Sequence, residues 1–363
     1  VRCWWLRIKA STLKKNPVSV FRGRAQKMSY TDQICNTLQQ VRVFKDSAGS
    51  AVTSIDFSKD GKFLVAASQD SGLRLYDAVE TGNLIKTLYA KKLGISHVRF
   101  THANSAVLCA SSNRMDHTIR YWSMHDNRYL RHFKGHRQPV IGLHVSPADD
   151  TFLSASADGT VRLWDVRSDS CTGVLRLPLA SARPNIAFDD KGLVFAVTMN
   201  STINLYSTKE YDKGPFSVFR IPMKCAFNAR SMKFSSDGKY LLLAGGGDAM
   251  AAIDSFTGQA VEFRPSEPFV DITDACMTPD CRYIVAGTSE NNRENIAEGG
   301  LRVWKFAFDT DIQAAITNEV MVCKDIHQGP VHCVECSPTH MLIATACKNL
   351  NFWMPATQQL RAN

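Results

Sequence analysis

Three residues in one short stretch, His136, Ser154 and Asp158, are of the types that carry out acyl transfer when a histidine and a carboxylate align an exposed serine. Trp164 follows close behind. That chemistry needs a nucleophile open to substrate and donors placed for an oxyanion. Ser154 stands instead in the middle of an apolar, Ala-containing run that reads as a buried strand. The trio, with Trp164, is therefore expected to be a structural hydrogen-bond network and not a hydrolase site.

Metal and phosphate chemistry find equally little footing. Cys333 and Cys336 form the only CxxC, and both fall in a predicted strand over residues 331–336, where a separation of three points side chains to opposite faces. His327, His332 and Cys347 are near enough in sequence to suggest zinc, but the eleven cysteines are scattered and several, such as Cys109, Cys276 and Cys347, sit in apolar runs. Buried free thiols of a reducing compartment are the expectation, with no metal and no cofactor. The chain has no GxxxxGK[ST], HExxH or GxSxG. Gly245-Gly246-Gly247, ahead of Asp248, reads as a wide hairpin rather than a phosphate cradle.

What must position these residues is a repeat. Residues 135–165 open with Gly135-His136 and give three β-type runs, at about 140–145, 151–156 and 160–165. Ser146-Pro147 and Asp158-Gly159 make the turns, Trp164-Asp165 closes the stretch, and a fourth run covers Val174–Leu177. Four strands joined by tight turns make one propeller blade. Further copies start at Phe57, Phe100, Phe188, Phe234, Met277 and Cys336; with Val145 the spacings are 43, 45, 43, 46, 43 and 59 residues. The Gly-His and Trp-Asp landmarks at this period are those of WD repeats. The last spacing is stretched by polar Ser289–Gly300 and by the segment around Phe308–Thr317. The expected fold is all-β, a seven-bladed WD40 β-propeller closed by an N-terminal strand. The last copy lacks a fourth strand, and Val41–Phe44 can supply it, leaving no open edge. Residues 31–40, with Ile34, Leu38 and Val41 on one face, are expected to be helical. The domains are then a tail at 1–28, the propeller at 29–355 and a C-terminal tail at 356–363.

In such a blade His136 bonds the turn Asp158 and the strand Ser154, and the indole of Trp164 finds its partner in the same network. Each unpaired member would cost about 1–3 kcal/mol. Other blades keep pieces: Asp70 with Tyr76, Asp116 with Trp122, His327 with Trp353. What remains for function is surface. The loops joining blades and those between second and third strands share one rim. They carry Lys91, Lys92, Arg114, Lys134, Arg137, Arg183 and Lys224, with Asp116, Asp271 and Asp325 among them. A mixed-charge rim suits peptide recognition, including of a phosphorylated or acidic segment.

The net charge of +9 belongs to the tail. Residues 1–27 hold eight Lys and Arg and no acid; the rest has 35 basic against 34 acidic side chains. The tail reads as a leader segment, as a transit-like peptide, or as a nucleic-acid arm using Trp4 and Trp5. The nearly neutral body gives the propeller no reason to bind nucleic acid. No apolar run approaches the ~20 residues of a membrane helix.

Thr87–Lys92 (TLYAKK), Arg99–His102 (RFTH), His117–Tyr121 (HTIRY), His125–Tyr129 (HDNRY), Ser146–Phe152 (SPADDTF) and Asp212–Phe216 (DKGPF) carry a resemblance. From about Ser29 to Met354 the chain is similar to the WD-repeat subunit family of the COMPASS histone methyltransferase. The resemblance implies a non-catalytic nuclear scaffold, present as a single copy in a hetero-complex. One such assembly methylates histone H3 lysine 4. The other contains protein phosphatase one, or is its cleavage-and-polyadenylation relative, and acts in transcription termination. Implied partners are a methyltransferase subunit, a phosphatase-targeting subunit and the phosphorylated RNA polymerase II tail. The insertion Ser289–Gly300 and the basic tail depart from the family's pattern.

Overall fold

The computed structural model describes residues 29–47, 49–178, 183–199, 201–221, 229–245, 247–291, 297–309 and 314–356. The N-terminal tail, Lys224 and most of the C-terminal tail lie outside them. Seven four-stranded antiparallel sheets follow one another along the chain. In blade 3 the strands are Val140–Val145, Thr151–Ser156, Thr160–Asp165 and Cys171–Arg176. The first strands of the seven blades are Val52–Phe57, His97–Phe100, Val140–Val145, Ile186–Phe188, Ser231–Phe234, Val270–Met277 and Cys333–Cys336. They line a central channel, and the fourth strands face outward.

A sheet packed between two others buries both faces, so its strands carry near-continuous apolar runs. Second strands such as Ala106–Ala110 and Thr151–Ser156 are buried along almost their whole length. The core is correspondingly divided into seven apolar clusters, one in each seam between neighbouring blades. Phe133, Phe152 and Trp164 fill the seam of blades 2 and 3. Phe188, Phe195 and Tyr206 fill the next.

The last blade is completed by the N-terminal strand Leu38–Phe44, paired antiparallel from Leu38 opposite Pro355 to Phe44 opposite Leu350. A register shift between Gln40 and Arg42 leaves Val41 as a bulge. Phe44 lies 4.7 Å from the Tyr76 ring of blade 1 and 5.3 Å from Phe352 of blade 7, centroid to centroid, and so wedges the closing seam. The helix is shorter than its periodicity predicts. It spans Asp32–Asn36, capped by the Thr31 hydroxyl accepting from the Ile34 N–H, and Leu38 already begins the strand. The open edge of Leu350–Pro355 offers Leu38 and Val41 a strand that outweighs their helical spacing.

The extra residues of blade 6 are not loops alone. The second strand runs Tyr283–Asn291, the third Ala297–Asp309 and the fourth Ala314–His327. Ser289 pairs with Gly299, and Asp309 with Ala314, so both insertions lengthen hairpins at opposite ends of one sheet. Among the described residues no helix is long and apolar enough to cross a membrane.

Candidate functional site

Blade 3 assembles its polar residues into one network. His136 Nδ1 lies 3.0 Å from Asp158 Oδ2, and Nε2 lies 2.7 Å from Ser154 Oγ. The Trp164 indole N–H donates to the same Oγ at 2.8 Å. These contacts assign the tautomer: Nδ1–H donates to the carboxylate, and bare Nε2 accepts from the serine hydroxyl. Burial holds the His136 imidazole below its ordinary pKa, hence neutral. Burial would raise Asp158, but donors from Thr160, the Arg137 N–H and His136 bring it down to about 2. Ser154 is fully buried, and its oxygen is already the acceptor of Trp164. An acyl group has nowhere to sit.

Blade 7 repeats the motif with a threonine. His327 Nε2 lies 2.8 Å from Thr345 Oγ1, which also accepts the Trp353 indole N–H at 2.9 Å. No aspartate follows, and His327 Nδ1 is buried without a hydrogen-bond partner. Burial, reinforced by His332, pushes this imidazole down to about 4. A folded pKa below the ordinary 6.5 means the unfolded chain binds the proton more readily between those values. Stability is then lost as pH falls from about 6.5 to about 4, by up to about 3 kcal/mol from this group. Replacing His327 with Gln, whose amide oxygen can still accept from the Thr345 hydroxyl, is expected to flatten that part of the acid limb. Urea unfolding at several pH values reads it; parallel slopes for mutant and wild type would refute the assignment.

In three blades that lack the histidine, a buried arginine takes over the polar partners, a feature the sequence analysis does not anticipate. Arg74, Arg120 and Arg302 are buried, each two residues before the aromatic of its third strand. Arg74 binds Asp70 and Ser68, and Tyr76 turns instead to Asp46 at 3.3 Å. Arg120 binds Asp116, while the Trp122 indole donates to Asn127 Oδ1 at 3.2 Å. Asp70 and Tyr76, like Asp116 and Trp122, are thus retained pieces of the motif that bond other partners. Arg302 meets Glu319 at 2.8 Å, Glu267 at 2.9 Å and Glu290 at 3.0 Å. The recurring Arg-x-aromatic in RLY, RYW, RLW and RVW was the available signal.

The upper face carries the loops between blades together with the second-to-third-strand turns. Ala157 N–H donates to Pro139 O, and Asn113 N–H to Leu93 O, tying the two kinds of loop together. Lys91, Lys92, Arg114, Lys134, Arg137 and Arg183 are all exposed here. Asn113 donates to Lys92 O at 3.4 Å, bringing the Arg114 turn against the Lys91–Lys92 loop. Lys91 stands 5.8 Å from the exposed Tyr89 ring. Of the six, Arg183 alone lines the upper channel mouth, a cavity of about 550 Å³ that it shares with His97, Arg230 and His332. The other five spread over blades 1 to 3. Asp116 is not free to balance them, being held by Arg120.

Deeper in the channel, the residue before each repeat start forms a ring: Asp56, Arg99, His144, Ala187, Lys233, Cys276 and Glu335. All but Ala187 line a lower cavity of about 470 Å³. Asp56 accepts the Phe100 N–H at 2.7 Å, yet burial outweighs that bond and Arg99, raising its carboxyl to about 7. Burial would lower the Lys233 ammonium, but Asp274 at 3.3 Å and Glu335 at 2.9 Å reverse this and raise it. His144 is pushed down to about 3 by burial.

The CxxC is split between seams: Cys333 packs in the cluster shared with blade 1, Cys336 against the one shared with blade 6. Among the described residues no group of three His, Cys, Asp or Glu could hold a metal ion.

The profile described as "WD domain, G-beta repeat" matches residues 38–77 and 127–165. The chain is 36% identical over 337 residues to WD repeat-containing protein 82 of Drosophila melanogaster, covering 92% of this chain and 99% of that one. It is 30% identical over 312 residues to COMPASS component SWD2 of Saccharomyces cerevisiae, covering 84% and 90%. With Set1 complex component swd2 of Schizosaccharomyces pombe the identity is 39% over 246 residues, 64% of this chain and 67% of the relative.

Proposed function

The chain belongs to the WD-repeat family that includes WD repeat-containing protein 82 and the Swd2 components of Set1/COMPASS, and on that premise we propose that it is a non-catalytic scaffold of a nuclear histone methyltransferase complex. The supporting observation is the combination of a closed ring, a buried Ser154–His136–Asp158 network and exposed loops gathered on one rim. A rigid ring with loop-borne contacts holds partner segments without remodelling itself. Service in a phosphatase-containing termination complex is part of the proposal, as is recruitment to RNA polymerase II. Affinity purification of the full chain from nuclear extract is expected to return a Set1-type methyltransferase or a phosphatase with its targeting subunit. Recovery of neither would sink the reading.

A second, narrower reading is direct recognition of a phosphorylated polymerase tail peptide. It is favoured by six exposed cations on one face: Lys91, Lys92, Arg114, Lys134, Arg137 and Arg183. Binding of paired phosphorylated and plain peptides to the purified chain tests it. The phosphorylated form should bind more tightly, with affinity falling as salt rises. A Lys91→Glu, Lys92→Glu, Arg137→Glu variant should bind it about tenfold or more weakly, since each lost charge-assisted contact removes about 1 kcal/mol or more. Equal binding of both peptides rules it out.

A further inference from the structure

We propose that Cys276 and Cys336 form a reversible modification site, at which hydrogen peroxide joins the two thiols into a disulfide that ties blade 6 to blade 7. Their sulfurs lie 3.2 Å apart, on the first strands of neighbouring blades. The bond needs a further approach of only about 1.2 Å.

That proximity is built into the strand register. Two residues earlier, Asp274 Oδ2 accepts the Val334 N–H at 2.8 Å. The Asp274–Val334 and Cys276–Cys336 pairs are each 60 residues apart in sequence, so the strands run side by side with constant offset. Lys233 reinforces the alignment, bonding Asp274 and Glu335 on either side of the seam and the Val334 carbonyl at 2.8 Å. The ring position explains why these two side chains meet. Asp56 reaches Phe100, and His144 reaches Phe188, across their seams from the same places. Blade 6 to blade 7 is the seam where both seats hold cysteine.

Both thiols line the lower channel cavity, through which a small peroxide can reach them. They differ in exposure. Cys336 is half-buried, whereas Cys276 is 4% exposed. Burial, followed by the neighbouring Cys336, pushes the Cys276 thiol up, so it stays protonated. The roles follow. The Cys336 thiolate attacks a peroxide oxygen; the O–O bond breaks, hydroxide leaves and takes a proton to become water, and Cys336 becomes a sulfenic acid. The Cys276 sulfur then attacks the sulfenic sulfur. The S–S bond forms, the S–O bond breaks, and the hydroxyl departs with the Cys276 proton as a second water. Two thiols and one peroxide give one disulfide and two waters, the two thiols supplying two electrons.

The crosslink would close a loop of about 60 residues at a seam adjoining the blade that holds both chain ends. Restricting the unfolded chain in this way stabilises the ring. The test uses the purified full chain, treated with stoichiometric hydrogen peroxide and mapped by peptide mass spectrometry without reduction. The expected result is a Cys276–Cys336 linked peptide pair that is lost on dithiothreitol. It should be accompanied by a rise in Tm of about 5 °C that reduction reverses. The rise should be absent in Cys336→Ser and kept in Cys281→Ser, a half-buried cysteine outside this pair. Cys336 recovered as sulfinic acid with Cys276 free overturns the proposal. So does Cys336 linked to Cys35, or oxidation of other cysteines while this pair stays reduced. Mapping reads wild-type protein, so an unstable variant does not blunt the test.

Discussion

Removing the chain up to Lys45 is expected to abolish the folded monomer, although every residue of the first six blades would remain. The deletion strips Leu38–Phe44 from blade 7 and leaves the edge of Leu350–Pro355 unpaired. It also takes Tyr30, Cys35 and Leu38 out of the seam between blades 6 and 7, and Val41 and Phe44 from the seam between blades 7 and 1. Burying an apolar side chain of Leu or Phe size contributes about 1.5–3 kcal/mol. With Tyr30 and Leu38 buried and Val41 and Phe44 partly so, the loss comes to about 4–9 kcal/mol, comparable with a whole domain's stability of about 5–15 kcal/mol. Polar ties go with them: the Tyr30 N–H to Asp280 at 2.6 Å, Asp32 with Lys305 at 2.9 Å, and the Ala356 N–H to Thr37 O at 2.8 Å. Size-exclusion chromatography should show aggregate, and thermal melts no cooperative transition. Adding a peptide of residues 29–47 in trans should recover part of the monomer. A truncated monomer with unchanged Tm would show that the ring does not depend on this closure.

The second large effect is at Arg302, which is fully buried with three glutamates around it. Arg302→Met fills the volume but leaves the little-exposed Glu290 and Glu319 facing one another without it, while the more exposed Glu267 keeps Lys324; removing one partner of a buried ion cluster costs about 3–5 kcal/mol. Urea unfolding at pH 7 reads this directly. The gap to wild type should narrow toward pH 5, because protonating the abandoned carboxylates relieves the mutant more than the paired wild type. Arg74→Met should lose less, since it strands a single carboxylate that keeps the Ser68 hydroxyl and the Gly72 N–H and has no second acid facing it. A loss at Arg302 no larger than at Arg74 would mean that the glutamates relax outward at little cost.

Much of this architecture is written locally. The Asp158-Gly159 turn, the Gly135-His136 opening and the Trp164-Asp165 close lie within one blade, so the run itself places strands 140–145, 151–156 and 160–165. The closing strand was legible by subtraction, because the final repeat lacked a partner and Val41–Phe44 had none. The short helix was misjudged because Leu38 and Val41 satisfy a helical period and an edge-strand position alike, and only the distant edge of Leu350–Pro355 decides between them. The arginine pairs are not legible in the same way, because Arg-x-aromatic also occurs beside His136 as Arg162-Leu163-Trp164; only the fold shows that Arg74, Arg120 and Arg302 turn inward to their carboxylates. For the rim, sequence says which loops share a face but not how far each stands from the axis. Of the six chosen cations, Arg183 alone reaches the channel mouth. The Cys276–Cys336 contact was out of reach for the same reason: sixty residues and a whole blade separate them.

The antiparallel clasp between Leu38–Phe44 and Leu350–Pro355 has a mechanical side. Leu38 lies opposite Pro355, so the two chain segments that leave the clasp depart from the same end. A pull on both termini therefore loads the ladder one rung at a time, like a zipper, instead of shearing all its rungs together. On the N-terminal side the segment before Leu38 is held by Tyr30 on Asp280 and Asp32 on Lys305, so tension through the ends breaks those ties first and then meets the ladder one pair of hydrogen bonds at a time. A complex that tethered this protein by both tails would load these ties in series, while one that gripped the rim would leave the clasp unloaded.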